Sequence, residues 1–203
     1  MLLYVLLYVS MCNVAHMIQE PRPQRRFDPE RRERIIDACL DVIAARGVSG
    51  TSHRAVAAAA DVPLGSMTYH FDGMSDLLHQ AFERFVQHSI DVFAGRMRDA
   101  RTVDEACEII ARHIEGDLLA TQRDLAINLE FYTLAARDPA YRDLTDRWMT
   151  ASLEQLERFF DEPTAQLIDA MIEGLTLHRA LGGTPKDAAT IREGIRRIAL
   201  NRG

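Results

Sequence analysis

Helical periodicity runs through the chain from residue 29 to residue 200, and it constrains the fold more than any other feature. Apolar residues recur every three or four positions, as in Ile35, Cys39 and Ile43, so each periodic stretch presents one apolar face. No stretch alternates with a period of two for long enough to predict a strand. The sequence therefore predicts an all-α fold in which three short helices precede a bundle of longer ones.

Turns and capping residues set the expected helix bounds. Asp28-Pro29 is typical of a helix start and Arg46-Gly47 of a helix end. Thr51 or Ser52 is expected to cap the second helix and Ser75 the fourth. The predicted helices cover residues 29–46, 53–60, 64–71, 75–98, 102–121, 123–136, 139–160, 164–181 and 186–200.

Residues 1–28 form a distinct N-terminal extension. The apolar run from Leu2 to Val9 is too short to span a bilayer, which needs about 20 residues, and no basic residue precedes it as in a secretory signal. We interpret the extension as disordered, or as the result of a start codon assigned too early, with Met11 or Met17 as the true start. A membrane tether is the alternative. Residues 19–29 have the composition of a flexible basic arm.

Composition places the chain among ordinary globular proteins. It has 203 residues, of which 47% are apolar and 27% charged, which excludes collagen-like, disordered and disulfide-scaffold classes. Its net charge is −6, from 24 basic and 30 acidic residues. The three cysteines, Cys12, Cys39 and Cys107, are widely spaced and predict free thiols in a reducing, cytoplasmic compartment.

No catalytic signature is present in the sequence. The motifs H-E-x-x-H, C-x-x-C, G-x-S-x-G and the Walker loop are all missing. His113 and Glu115 are two residues apart and point to different faces of a helix, so they do not form a site together. We therefore expect a protein that is not an enzyme and that uses no cofactor or metal.

Residues 51–71 carry the functional information. Two short helices joined by a four-residue turn, with small residues where they cross, are typical of a helix-turn-helix. Ala57 and Ala60 allow the close approach, and Val56, Val62 and Met67 are expected to form the small core beneath the two helices. The second of these helices is then free to lie in the major groove of double-stranded DNA.

Polar residues near the two helix starts are the predicted DNA contacts. Arg54 is the best candidate for reading a base, because a guanidinium pairs bidentately with guanine. Tyr69 and His70 are candidates for phosphate contacts. The predicted contacts are Thr51, Ser52, His53, Arg54, Leu64, Gly65, Ser66, Thr68, Tyr69 and His70.

Over residues 31–78 the sequence resembles the TetR family of bacterial transcriptional regulators. The residues that carry the resemblance in register are Thr51, Val56, Ala57, Ala60, Val62, Gly65, Phe71 and Leu77. The resemblance implies a DNA-binding domain over residues 29–74 and a helical effector-binding and dimerisation domain over 75–203. It implies a homodimer that binds a pseudo-palindromic operator, and a repressor released from that operator by an unknown small molecule.

The sequence departs from the family pattern at four positions. Asp61 replaces the turn glycine, and aspartate tolerates the left-handed backbone. Pro63 stands where a serine cap is usual, and Thr68 and Met74 stand where a tyrosine and a lysine commonly bind phosphate. The arm residues Arg22, Arg25 and Arg26 could compensate. The alternative is an all-α ligand-binding or enzyme-like bundle that has lost DNA binding.

Two further sets of residues follow from the expected second domain. An effector pocket is expected where aromatic and methionine side chains converge with a few polar groups. Its candidate residues are Phe93, Met97, His113, Asn128, Phe131, Tyr132, Trp148, Met149 and Met171, with Glu130 as a further polar candidate. The predicted dimer interface comprises Leu167, Ile168, Met171, Leu175, Ile191, Ile195 and Ile198, because these exceed what one helix face normally hides.

Overall fold

The computed structural model describes residues 28–117, 119–183 and 187–200, and within these ranges the chain is helical with no strand. The predicted all-α class is confirmed. The α-helices are α1 (Arg31–Arg46), α2 (His53–Ala59), α3 (Gly65–His70), α4 (Met74–Met97), α5 (Val103–Arg112), α6 (Gln122–Ala135), α7 (Pro139–Leu156), α8 (Glu162–Ala180) and α9 (Ala188–Leu200). A 3-10 turn spans Val48–Gly50 and a π-helical turn spans His113–Asp117.

The described residues from Arg31 onwards form one unit, and the chain before Arg31 belongs to another. Of the latter unit only residues 28–30 are described, where the Asp28 carboxylate accepts a hydrogen bond from the Glu30 amide at 3.2 Å. The predictions for Cys12, for the arm arginines and for the true start of the chain fall outside the described residues. None of the described helices combines the length and the apolar character that a membrane crossing requires.

Side-chain caps begin most of the helices where the sequence places them. Ser52, Thr121, Asp138 and Asp161 each accept a backbone amide of the following first turn. Thr102 forms a reciprocal capping box with the side chain three residues later. These caps fix the entry of α2, α5, α6, α7 and α8.

The expected cap of α4 is wrong. Ser75 lies inside the helix, and Gly73 takes the cap position with a φ of 100° that favours glycine. The carboxylate of Asp76 stabilises this start instead, since it accepts the amide of Asp72 at 2.9 Å. Other bounds differ by two residues or more: α1 begins at residue 31, α5 ends at residue 112 and passes into the π-helical turn, α7 ends at residue 156, α8 begins at residue 162 and α9 begins at residue 188.

One apolar core joins the three short helices to the longer ones. It contains Ile35 and Ile43 of α1 and Met67 of α3, all fully buried. The same core continues through Phe82 of α4 and Phe131 of α6, whose rings stack at 5.3 Å. Tyr141 of α7 meets Phe82 edge-on at 5.8 Å. The helix-turn-helix therefore stands directly on the rest of the fold.

A second core fills the far end of the bundle. It is built from the end of α4, from α5 and from the buried faces of α8 and α9. Cys107 of α5 is fully buried there, and Cys39 is fully buried in the first core. Burial raises the pKa of the Cys39 thiol to about 12, so it stays protonated. Both described cysteines are free, in agreement with the expectation of free thiols.

We predict that the Phe82→Ala variant lowers the free energy of unfolding by about 3–5 kcal/mol, because it empties a fully buried ring site shared by three helices. Tyr69→Ala removes an aromatic ring of similar size that is 81% exposed, and should change stability by no more than about 0.5 kcal/mol. Urea unfolding followed by circular dichroism at one protein concentration measures both. Equal midpoints for the two variants would contradict the assigned core.

Candidate DNA-binding surface and effector pocket

The helices α2 and α3 form the predicted helix-turn-helix. Asp61 holds the turn with a φ of 52°, and the next amide, that of Val62, donates to the Ala57 carbonyl at 3.0 Å. Val56 and Met67 are fully buried beneath the crossing. The short helices thus have one anchored side and one open side.

The open side of α3 presents Thr68 and Tyr69. The Tyr69 ring is 81% exposed, and Leu64 at the start of the helix is 50% exposed. Arg54 of α2 is also exposed, beside the half-buried His53. Thr51, Ser52, His53, Arg54, Leu64, Thr68 and Met74 together line a concave surface between α2, α3 and the start of α4.

His70 lies at the end of α3 and is half-buried. Burial lowers the pKa of its imidazole, and the nearby guanidinium groups of Arg31 and Arg32 lower that pKa further. The ring is therefore neutral near pH 7, so it can offer a hydrogen bond to a phosphate without carrying a charge.

Two of the predicted DNA contacts have buried side chains. Thr51 is 8% exposed, because its hydroxyl donates to the Gly47 carbonyl at 2.8 Å and closes the turn before α2. Ser66 is also 8% exposed, because it occupies the inner side of α3 next to Met67. Both side chains are largely turned into the fold, although Thr51 still lies on the rim of the concave surface, and their contact with DNA stays a prediction. The hydroxyl of Ser52 is committed as the cap of α2.

A direct contact joins the DNA-binding end to the longer helices. The Glu130 carboxylate of α6 accepts the Val48 amide at 2.8 Å, just after α1. Gly47 leaves room for it, since a Cβ there would lie 2.9 Å from Glu130 Oε1, and its φ of 70° also favours glycine. Arg123 of α6 pairs with Asp41 of α1 at 2.7 Å. Glu130 is thus a link between helices, and it does not line the cavity described below.

A cavity of about 50 Å³ lies among α4, α6, α7, α8 and the π-helical turn. Its apolar wall combines three aromatic rings with aliphatic and methionine side chains, and its polar side comes from hydroxyl and carboxylate groups. The lining residues are Ser89, Ile90, Phe93, His113, Tyr132, Thr145, Trp148, Met149, Ala151, Ser152, Asp169, Ile172 and Glu173.

Two carboxyl groups on α8 form the polar side of this cavity. The Tyr132 hydroxyl donates to Glu173 at 2.8 Å, and the Ser152 hydroxyl donates to Asp169 at 2.6 Å. Burial raises the pKa of Asp169, partly offset by the hydrogen bond from Ser152. Burial likewise raises the pKa of Glu173, against the effect of the Tyr132 bond.

His113 is buried against Phe93, with ring centres 5.0 Å apart. Its Nδ1 lies 2.6 Å from a guanidinium nitrogen of Arg96. Because a guanidinium only donates, Nδ1 accepts this bond and the ring carries its hydrogen on Nε2. The imidazole that lines the cavity is therefore neutral, and Arg96, which donates to it, does not line the cavity.

Five of the expected pocket residues line the cavity, namely Phe93, His113, Tyr132, Trp148 and Met149. Met97 and Phe131 do not line it, because both are fully buried inside the two cores. Asn128 is buried one helical turn before Tyr132, and Met171 leans towards Gly194 of α9, with its sulfur 3.7 Å from where a Cβ would be. These four assignments to the pocket are wrong for this cavity.

Asp169 and Glu173 are the cavity residues that sequence reasoning missed. A usable signal existed, since the two acids are four residues apart within the apolar helix predicted over 164–181 and so share one face. An acidic pair on a solvated face gives the same pattern, and only the packing of α7 and α6 against α8 distinguishes the two cases.

The predicted dimer surface is partly internal. Ile168, Ile191 and Ile195 are at most 2% exposed and belong to the second core, so their assignment to a subunit interface is wrong. The reason is that α9 packs on both α5 and α8 within one chain. Leu167 is 59% exposed, and Met171, Leu175 and Ile198 are half-buried.

Comparison with known proteins gives matches along both parts of the chain. The family described as "Bacterial regulatory proteins, tetR family" matches residues 35–81. The family "Tetracyclin repressor-like, C-terminal domain" matches residues 97–200. The HTH-type transcriptional regulator BetI 1 of Chromohalobacter salexigens is 28% identical over 182 residues, which cover 84% of this chain and 89% of that protein.

Solved structures give the same result. A transcriptional regulator of Streptomyces coelicolor A3(2), SCO7518, is 50% identical with a TM-score of 0.76, and the match covers 84% of this chain and 99% of that one. The multidrug binding protein EbrR complexed with ethidium is 35% identical with a TM-score of 0.66, covering 84% and 99%. With a matched helix-turn-helix, a matched C-terminal domain and half of its aligned residues shared with a solved regulator, the chain belongs to the TetR family of bacterial transcriptional regulators.

Proposed function

We propose that this regulator is a cytoplasmic repressor, not an enzyme, which binds a specific operator through α3 and leaves it when a small molecule fills the cavity. The main support for DNA binding is that α3 has one buried face and one exposed face. Met67 is fully buried and fixes the helix on its scaffold, whereas Thr68 and the 81% exposed Tyr69 stand clear of it. That arrangement suits a helix that enters a major groove.

The charge of this surface supports the same role. Between residues 42 and 71 the acidic and basic residues are Arg46, Arg54 and Asp61. Few carboxylates therefore oppose a phosphate backbone, and hydroxyl groups and backbone amides can supply contacts without cationic side chains. Within this surface Arg54 is the proposed base contact, and Tyr69 and His70 are the proposed phosphate contacts.

We propose a homodimer with two-fold symmetry. The outer face of α8 offers Leu167 together with Met171 and Leu175, and Ile198 of α9 extends it. A two-fold axis there would place two copies of α3 in successive major grooves, about 34–36 Å apart, on a pseudo-palindromic operator.

The route from the cavity to the DNA-binding end is short. Tyr132 lines the cavity, and Glu130, two residues earlier on α6, holds the Val48 amide next to the helix-turn-helix. Ser89 and Phe93 of α4 also line the cavity, and the same helix begins at Met74 on the rim of the DNA-binding surface. A ligand that moves α6 or α4 would therefore shift α3 and weaken operator binding by linkage.

Relatives support a small-molecule effector. The multidrug binding protein EbrR, 35% identical, has been solved complexed with ethidium and, at 34% identity, with malachite green. The alternative function, a ligand-binding bundle that no longer binds DNA, is favoured by one observation, the apolar Met74 on the rim of the surface. Selecting bound duplexes from random DNA with the purified chain decides between the two, because the alternative enriches no sequence.

We predict that Arg54→Ala lowers the preference for a selected duplex over a scrambled one by about 1–3 kcal/mol, because a bidentate base contact is lost. Fluorescence anisotropy at fixed salt measures both affinities. Arg98→Ala is the control, because it removes an exposed guanidinium just after the far end of α4, a 24-residue helix about 36 Å long. Unchanged selectivity in the Arg54 variant would remove this residue from the proposed readout.

We predict that Glu130→Leu lowers operator affinity about fivefold or more, since the Val48 amide loses its partner and the turn before α2 is released. Glu130→Gln should retain affinity, because its amide oxygen can accept the same bond. The emission of Trp148, the single tryptophan of the chain, serves as a readout of the cavity and should not change in either variant. Equal affinities for all three proteins would contradict the proposed link.

A further inference from the structure

We infer that the cavity accepts the charged head of an organic cation, held between the carboxyl groups of Asp169 and Glu173 and the aromatic wall formed by Phe93, Tyr132 and Trp148. The inference rests on the proposed function in one respect, that this cavity is the effector site. It adds the charge of the ligand and the residues that recognise it.

The two carboxyl groups of the cavity favour a cationic ligand. Asp169 and Glu173 lie one turn apart on α8, so both face the cavity, and the described lining contains no Lys or Arg. Their hydrogen-bond partners, Ser152 and Tyr132, are uncharged hydroxyl groups. Two half-buried acids with neutral partners are costly to ionise, and a bound cation would relieve that cost.

The aromatic wall also favours a cationic ligand. The rings of Tyr132 and Trp148 lie nearly parallel, with centres 6.4 Å apart at an interplanar angle of 24°. Phe85 meets Trp148 edge-on at 5.8 Å and holds it in place. Ring faces attract a cation within about 6 Å of their centres, more strongly when water is excluded. Ring faces and carboxylates together favour a cation with an apolar surface over a metal ion or a strongly hydrated amine.

The same groups disfavour an anionic ligand. An anion would meet two carboxyl groups in a poorly solvated site, where repulsion is strong. The other ionisable neighbours do not reverse this, because His113 is held neutral by its bond from Arg96, and Arg96 itself does not line the cavity. Burial and the nearby Glu173 raise the pKa of the Tyr132 hydroxyl, which stays protonated.

A pair of isosteric probes tests the charge of the ligand. Phenyltrimethylammonium and tert-butylbenzene have the same shape, and they differ in a charged nitrogen against a neutral carbon. Trp148 lines the cavity and is the single tryptophan of the chain, so its fluorescence reports binding directly. We expect the cation to bind the full chain about 10- to 100-fold more tightly than its neutral isostere. Equal affinities, or tighter binding of tert-butylbenzene, would overturn the inference.

Charge-neutral variants test the residues. Asp169→Asn and Glu173→Gln keep side-chain shape and the hydrogen bonds from Ser152 and Tyr132, so the fold should be retained with an unchanged or higher melting temperature. The double variant should lose about 10- to 100-fold in affinity for phenyltrimethylammonium and nothing for tert-butylbenzene. Glu154→Gln is the matched control, because it removes an exposed carboxylate from α7 outside the cavity. Wild-type cation binding by the double variant would refute the assignment.

The pH dependence gives a separate prediction. Since burial raises the pKa of both Asp169 and Glu173, these groups take up protons at a higher pH than free acids do. Affinity for the permanently charged phenyltrimethylammonium should therefore fall as the pH is lowered from about 8 to about 5, with proton uptake by the carboxyl groups. The double variant should show no such fall. A fall of the same size in the double variant would contradict the role given to the two carboxyl groups.

Operator release is measured separately, so the two proposals can fail independently. If phenyltrimethylammonium binds through the carboxyl groups but leaves operator affinity unchanged, the cation site stands and the effector role of the cavity fails. If the operator is released by tert-butylbenzene as readily as by its cationic isostere, the effector role stands and the cation site fails.

Discussion

The apolar core shared by the helix-turn-helix and the longer helices is the constraint on which the structure depends. Phe82 of α4 stacks on Phe131 of α6 at 5.3 Å, in the same core that buries Met67 of α3. Side chains in such a core are close-packed, so a displacement of one helix requires its neighbours to respond. The DNA-binding helices therefore cannot be treated as a module on a hinge. Their position follows that of α4 and α6.

The cavity lies where the two cores meet. Phe93 and Ile172 belong to the second core, while Tyr132 and Trp148 pack against the first. A ligand in this position would touch side chains of both, which is a physical basis for coupling effector binding to the geometry of α3. The hydrogen bond from Val48 to Glu130 adds a polar connection to this apolar packing. It fixes a single backbone amide beside the turn before α2.

Helix α8 shows why the site was harder to predict than the fold. It buries Ile168 in the second core, exposes Leu167 and turns Asp169 towards the cavity, so three consecutive residues have three different environments. Periodicity identifies an apolar helix, yet it does not tell a core contact from a subunit contact. Some of the apolar residues that predicted a dimer interface are instead buried within one chain, because α9 packs Ile191 and Ile195 into the second core.

The sequence by itself determined the features that depend on near neighbours. The helices, most of their caps and the left-handed turn at Asp61 arise from backbone and side-chain contacts within about four residues. Only the tertiary structure decided the features that join distant residues. Examples are the buried hydroxyl of Ser66, the bond between Glu130 and Val48 across 82 positions and the enclosure of the α8 carboxyl groups. The physical reason is that the exposure and the charge environment of a side chain depend on the helix that packs beside it. Local periodicity does not identify that helix.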